Sequence, residues 1–439
     1  MSLLRTLSGL LLAATLARAD EAATGHAWLA GQVAQFNELR AHLPAAALAR
    51  RLVDEAIDAD RFATLVLQEY VTSSLADIEE HLDDDEYELY VGAARQRLVA
   101  ALQQRLIGDL TEYLTSTTVG SLTVTDADFG DDEGIVTLNS AATGVPSLEV
   151  RTRRRDDGTW RIEDVRIDGR ALSRRYRDLY DDTMDGRYSP SVLEAEVRQL
   201  DYVILEDFAA SGPDGLPIGW RWRDKDEDRR KTYHVRKQNG QTYLAAKDSG
   251  GSVIMLRYSH WNPRRYPIMT WCWRADKLPP GGDERFGHTN DSVAGIYVFF
   301  SQTWIGMPRH IKYVWSSTLA EGTIGRRDRI ARPYFVVVES GNQQLGEWLF
   351  ASVDLENHYD RTWGGRPKKR TQGLGLLTDA NSTDSEAEAY YADLRVWTRK
   401  AYDEGRVQDY CDCYRDLVSM KVDLGSGTVR APLGSGMAP

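Results

Sequence analysis

Cysteine is scarce in this chain: three residues in 439, at Cys272, Cys411 and Cys413. That number excludes the disulfide framework of a small secreted scaffold. Cys411-Asp412-Cys413 offers too few ligands for zinc, and pairing across one residue strains a disulfide. An intermolecular bridge and a free thiol both stand open there, while Cys272, between Trp271 and Trp273, reads as a packed side chain on a strand. The eight histidines are scattered and mark no Cys/His metal cluster. G-x-S-x-G, H-E-x-x-H and P-loop motifs are missing, which removes the commonest hydrolase, metalloprotease and nucleotide signatures. An excess of positive charge is missing too. Lys and Arg number 54 against 66 Asp and Glu, a net charge of −12, which argues against a nucleic-acid binder that works by concentrated basic charge. No apolar run spans a bilayer comfortably. The longest, Leu7 to Leu16, follows Arg5 and precedes Ala17-Arg18-Ala19, so residues 1–19 read as a secretory signal peptide.

What is present divides into two domains, because 439 residues exceed one ordinary core. From about Gly25 to Ser116 the pattern is helical. In Tyr90 to Leu114 the residues Val91, Ala94, Leu98, Leu102, Leu106, Leu110, Tyr113 and Leu114 recur at three and four, with Arg95, Gln96, Gln103, Gln104 and Asp109 opposite. Phe62, Leu65, Leu67, Tyr70, Val71 and Leu75 form an earlier periodic run. Strands are expected near Leu122 to Phe129, Ile135 to Ala141, Leu148 to Arg154 and Trp160 to Ile167, separated by turn residues. Helices followed by an antiparallel sheet make an α+β domain over 25–184. Residues 185–200 read as a linker with a short helix.

Beyond it the composition changes: ten of the twelve tryptophans lie between Trp220 and Trp397. About eleven short strands from Val203 to Trp397, with turn residues between them and no convincing helix, predict an all-β sandwich over 201–400. Residues 401–439 read as an extension, disordered in its Gly- and Pro-containing end.

Within the first domain, Trp160, Asp164, Val165, Gly169, Tyr176 and Arg177 mark a strand, a turn and a helix. This segment resembles the closing strand and helix of the MlaC/toluene-tolerance family of periplasmic phospholipid carriers, and more weakly the resemblance runs from about Asp60 to Met184. Arg170-Ala171 departs from the family's Val-Ser, so the serine of that turn is absent. The resemblance implies an NTF2-like arrangement of helices on a curved antiparallel sheet. It implies a phospholipid ligand, a periplasmic location, and as partners an inner-membrane lipid transporter and an outer-membrane lipid complex. It also makes Leu98, Leu102, Leu106, Leu110, Val136 and Leu138 candidate acyl-chain lining, against the alternative of a filled core. Arg174, Arg175 and Arg177 could meet a headgroup, Arg174 and Arg177 foremost, or form a solvated face.

The second domain resembles the domain of unknown function family 3047 through three motifs. These are Trp271, Trp273 and Arg274, then Asn290-Asp291, then Asp379-Ala380-Asn381-Ser382-Thr383 leading into Ala387, Ala389, Tyr390 and Asp393. It implies a jelly-roll-like sandwich and no activity. Asp379, Asn381 and Thr383 space oxygen ligands as a calcium loop begins, giving a structural calcium ion as the only cofactor, or else they fold a turn on their own backbone. Trp220, Trp222, Trp261, Trp304 and Trp363, in or beside loops, open the alternative of binding envelope glycan. Glu339, Glu347, Asp354 and Glu356 could form a glycosidase pair only if two of them face each other. The expectation is a binding protein with no catalytic residues.

Overall fold

The computed structural model describes residues 25–79, 82–117, 120–212, 215–222, 232–302, 308–328 and 333–416. The expected signal peptide and the Gly- and Pro-containing end lie outside them. The chain divides between Leu200 and Asp201 into two units.

The first unit opens with α1 (Gly25–Leu39), α2 (Ala45–Ala56), α3 (Ala59–Leu67), α4 (Tyr70–Glu79) and the 33-residue α5 (Asp84–Ser116). The start of α5 is set by Asp83, whose side chain accepts from the Glu86 N–H at 2.8 Å, and by Asp84, Asp85 and Glu86 at the positive end of the helix dipole. Its closest neighbours are other helices, α2 above all. Then come β1 (Leu122–Phe129), β2 (Glu133–Ser140), β3 (Leu148–Arg154), β4 (Trp160–Ile167) and β5 (Arg170–Ala171), paired antiparallel in that order. The helices α6 (Leu172–Leu179), α7 (Asp181–Asp185) and α8 (Pro190–Val197) complete the unit. The expected linker is therefore structured: Val192 and Leu193 of α8 are buried and the helix packs on α5.

The sandwich pairs β14-β15-β13-β12-β17-β10-β7 in one sheet and β16-β11-β18-β9-β8 in the other, with β6 also on β18. Its strands are β6 (Tyr202–Glu206), β7 (Arg221–Trp222), β8 (Tyr233–Gln238), β9 (Gln241–Asp248), β10 (Met255–Tyr258), β11 (Ile268–Lys277) and β12 (Ala294–Gln302). They continue as β13 (Pro308–Ser316), β14 (Ile324–Arg326), β15 (Tyr334–Ser340), β16 (Leu349–Asp354), β17 (Gly373–Leu377) and β18 (Ala387–Trp397). All eleven expected strands are present; β7 and β14, at two and three residues, carry too little pattern to be read. Indole rings fill the interior, Trp271 on Trp273 at 5.3 Å and Trp273 on Trp315 at 5.7 Å. Large aromatic surfaces of this kind contribute much of a core's burial.

Two expectations fail here. A helix, α9 (Leu355–Trp363), follows β16, with Asp354 capping it through the Asn357 N–H at 3.0 Å. Its apolar spacing of four, Leu355 and Tyr359, was hidden among carboxylates read as strand residues. The described residues after α10 (Arg399–Asp403), up to 416, are likewise packed on the sandwich. A disulfide joins Cys272 to Cys411, and Trp348, Cys411 and Tyr414 pack together against the outer side of β11. Neither an intermolecular bridge nor a merely packed Cys272 describes this. Cys413 is the free thiol.

Candidate functional site

The strand, turn and helix from Trp160 form a closed polar joint. Asp168 and Gly169 both have positive φ, 51° and 74°, the two-residue I′ turn that a hairpin with right-handed twist requires. The buried Asp164 carboxylate accepts from the Val165 N–H at 2.8 Å, the Ser173 N–H at 3.1 Å and the Ser173 hydroxyl at 2.6 Å. Burial pushes the Asp164 carboxyl up against those bonds. The hydroxyl that meets Asp164 comes from Ser173, in the first turn of α6. Tyr176 donates to Asp109 at 2.7 Å, joining α6 to α5, and Arg105 meets the same carboxylate at 2.9 Å. Asp109, expected on the wet face, is therefore buried.

The six candidate lining residues, Leu98, Leu102, Leu106, Leu110, Val136 and Leu138, are at most 1% exposed. Water does not reach them, and acyl chains would enter only by parting the packed layers around α5. Neither headgroup candidate is free: Arg174 pairs with Asp178 at 3.1 Å, and Arg177 donates to the Val66 carbonyl at 3.2 Å. Arg175 donates to the Ile167 carbonyl at 2.9 Å.

Arginines not singled out in the sequence gather elsewhere. A cavity of about 330 Å³ lies between the start of α3 and the β3–β4 turn, lined by Asp58, Arg61, Arg153, Arg154, Arg155, Asp156 and Asp157. Asp58 caps α3 through the Arg61 N–H at 3.1 Å and binds Arg155 at 2.7 Å. Burial pushes the Asp58 carboxyl up, but Arg155 and that N–H outweigh it and hold the group below its ordinary 3.8. The joint rests on the edge of β4, where the Asp58 N–H donates to the Ile162 carbonyl at 2.8 Å and Ile57 bridges to Ile162. The signal was the run Arg151-Thr152-Arg153-Arg154-Arg155 before Asp156-Asp157-Gly158; only folding shows that Asp58 faces it.

In the sandwich the motif residues converge on buried charge. Asp291, 0% exposed, accepts from the Ser382 N–H at 3.1 Å and from the Thr383 N–H and hydroxyl at 2.6 and 2.7 Å. Asp248 accepts from the Ala380 N–H at 2.9 Å. Lys312, 3% exposed, donates to the Ser292 hydroxyl at 2.5 Å, its stem lying where a Cβ on Gly295 would sit. Burial raises the Glu284 and Asp379 carboxyls, and the Lys312 charge opposes it in both. Asp379 is buried, Asn381 is exposed and accepts from the Ser382 hydroxyl, and Thr383 is spent on Asp291. Among the described residues no group of three or more His, Cys, Asp or Glu is placed to hold a metal ion.

Of the loop tryptophans, Trp220 and Trp261 are buried at 2% and 0% rather than displayed. Trp363 packs on Tyr334 and Tyr359, and Trp304 lies outside the described residues. The strand carboxylates have structural partners: Asp354 caps α9 and pairs with Arg399, and Glu356 pairs with Arg366. Burial raises the Glu339 carboxyl, helped by Glu321. Glu347 is exposed.

Residues 219–395 match the model of the family described as a protein of unknown function (DUF3047). This match falls within the sandwich, where the three motifs lie. No curated protein matches the chain. Among solved structures, a phospholipid-binding protein from Ralstonia solanacearum in complex with a phospholipid is similar at 15% identity, over 38% of this chain and 88% of that one, with a TM-score of 0.28. A family 30 carbohydrate-binding module of a Clostridium thermocellum cellulosomal cellulase is similar at 10% identity, over 45% and 98%, with a TM-score of 0.24. An exolytic alginate lyase from Zobellia galactanivorans follows at 8% identity, over 45% and 95%, with a TM-score of 0.23. Scores of this size leave function to the chain's own residues.

Proposed function

We propose that this is a secreted, periplasmic phospholipid-binding protein whose first unit, NTF2-like in plan, takes acyl chains beside α5, and whose jelly-roll-like sandwich is an accessory ligand-binding module. The observation that carries the reading is the joint at Trp160 to Leu179. Two of the residues that carry the resemblance, Asp164 and Tyr176, also tie the elements together, through Ser173 and Asp109, and this supports the reading. The continuous apolar layer of Leu98, Leu102, Leu106 and Leu110 supplies what acyl chains need, about 0.8 kcal/mol for each methylene removed from water. Transfer partners at the inner and outer membranes belong to this reading by analogy with those carriers.

Native mass spectrometry of protein purified gently from a bacterial envelope tests the first part. The expected spectrum contains the chain plus one or two phospholipids, with occupancy lowered in Leu102→Trp. A clean apo mass sinks the reading.

A further inference from the structure

We propose that the loop between α9 and β17 of the sandwich, with the Arg264-Arg265 turn beside it, is a docking surface for a bilayer of anionic phospholipid. The choice of partner rests on the lipid-binding reading; the surface itself rests on charge and position.

The two units differ in the sign of their charge. Residues 1–200 hold 21 Lys and Arg against 35 Asp and Glu, and residues 201–400 hold 29 against 25, so a net attraction to anionic lipid belongs to the second. Within the sandwich, Arg366 to Arg370 places four cations in five residues. That run is anchored. Pro367 is buried and its carbonyl accepts from the Arg264 guanidinium at 2.6 Å, which brings Arg264 and Arg265 against the loop. Lys368 and Lys369, next after the anchored proline, are exposed.

The carboxylates nearest along the chain do not cancel this charge. Asp354, Glu356 and Asp360 line a cavity of about 420 Å³ together with Arg366 and Arg399. Arg366 pairs with Glu356, and Arg399 with Asp354 at 2.6 Å. Asp360 accepts from the Gly365 N–H at 2.6 Å and is counted in full. That one carboxylate stands against Arg264, Arg265, Arg361, Lys368, Lys369 and Arg370, none of which lines the cavity. Residues 259–266 and 361–372 contain no acid at all.

Arg265, Arg361, Lys368 and Lys369 are exposed, so they fit a partner that attracts them without stripping their water. An anionic bilayer does this, because its field reaches about 8 Å at physiological salt. Trp363, the aromatic ring within this run, packs on Phe300, Tyr334 and Tyr359 and lies under Arg309. The patch therefore presents charge rather than a ring for stacking on a neutral sugar.

The full chain is sedimented with vesicles of phosphatidylcholine alone or mixed with phosphatidylglycerol, at low and high salt, and the lipid it carries is counted separately by native mass spectrometry. Expected is binding to the mixed vesicles alone, lost at high salt. Lys368→Gln/Lys369→Gln should weaken it about thirtyfold, about fivefold for each cation, with melting temperature and lipid count unchanged. Lys368→Arg/Lys369→Arg should keep it, because charge rather than shape is read. Equal binding to both kinds of vesicle, or no loss in the Gln variant, overturns the docking surface. So does capture by a soluble polyuronate with none by mixed vesicles, which would make the partner an acidic glycan. No vesicle binding by a chain that carries lipid sinks the surface alone. Charge-dependent binding by a chain with a clean apo mass keeps the surface and sinks the carrier reading.

Discussion

Asp164 in the first unit and Asp291 in the sandwich are both buried carboxylates, and they are satisfied from different distances. Asp164 takes its hydrogen bonds from Val165 and Ser173, the farther only nine residues away. Asp291 takes them from Ser382 and Thr383, more than ninety residues along the chain. The same contrast holds for the charge around them. The first unit gathers Arg61, Arg153, Arg154 and Arg155 with three aspartates around a surface cavity, whereas the sandwich places Asp248, Glu284, Asp291, Lys312 and Asp379 at 3% exposure or less. A joint as local as that of Asp164 can be lost and the plan of its unit kept. Buried charge gathered from distant strands depends on every strand being in place, so the sandwich should be the more brittle half.

The sharpest way to break that contrast is Lys312→Met, which leaves Glu284 and Asp379 without their common counter-charge. Removing the ammonium takes away its bond to Ser292 and its field on both acids, at a cost of about 1–3 kcal/mol. Scanning calorimetry should therefore show the sandwich transition falling while that of the first unit stays. A loss below about 1 kcal/mol would mean the acids are adequately solvated without the ammonium. In the first unit the corresponding change, Tyr176→Phe, leaves Asp109 with Arg105 as partner. The expected cost is about 1–2 kcal/mol, read from denaturant midpoints, because one partner remains.

The smallest effect expected is one of pH. Burial pulls the His358 imidazole below its ordinary 6.5. With the folded value depressed, the unfolded chain takes up the proton first, so stability present above pH 6.5 is lost as pH falls from there through the folded value. His358→Phe should flatten that limb for the sandwich. Asp58, also depressed, gives the first unit a loss that begins only below its unfolded value of 3.8. An unchanged slope between neutral pH and pH 5 in the His358 variant would assign the limb to another group.

The legibility of the chain follows the same division. Period-two and period-four patterns are local, and they located α5, the four longer strands of the first sheet and eleven strands of the sandwich. The Asp168-Gly169 turn was readable because left-handed backbone selects those residue types. Asp109 was misplaced because its partner Tyr176 lies 67 residues on, and periodicity cannot see a buried hydrogen bond that admits a carboxylate to an apolar face. The four lining candidates of α5 share one buried stripe, yet a stripe has the same pattern whether it encloses a lipid or a packed core.

By itself, then, the sequence determined most of the elements and the strand, turn and helix from Trp160, since each depends on neighbours within a turn or two. Tertiary structure alone decided that Cys272 meets Cys411 across 139 residues, that Asp58 turns a run of arginines into a cavity, and that Asp291 anchors the loop at Thr383. Pairing, charge balance and enclosure depend on distances in space, and spacing along a chain does not determine them.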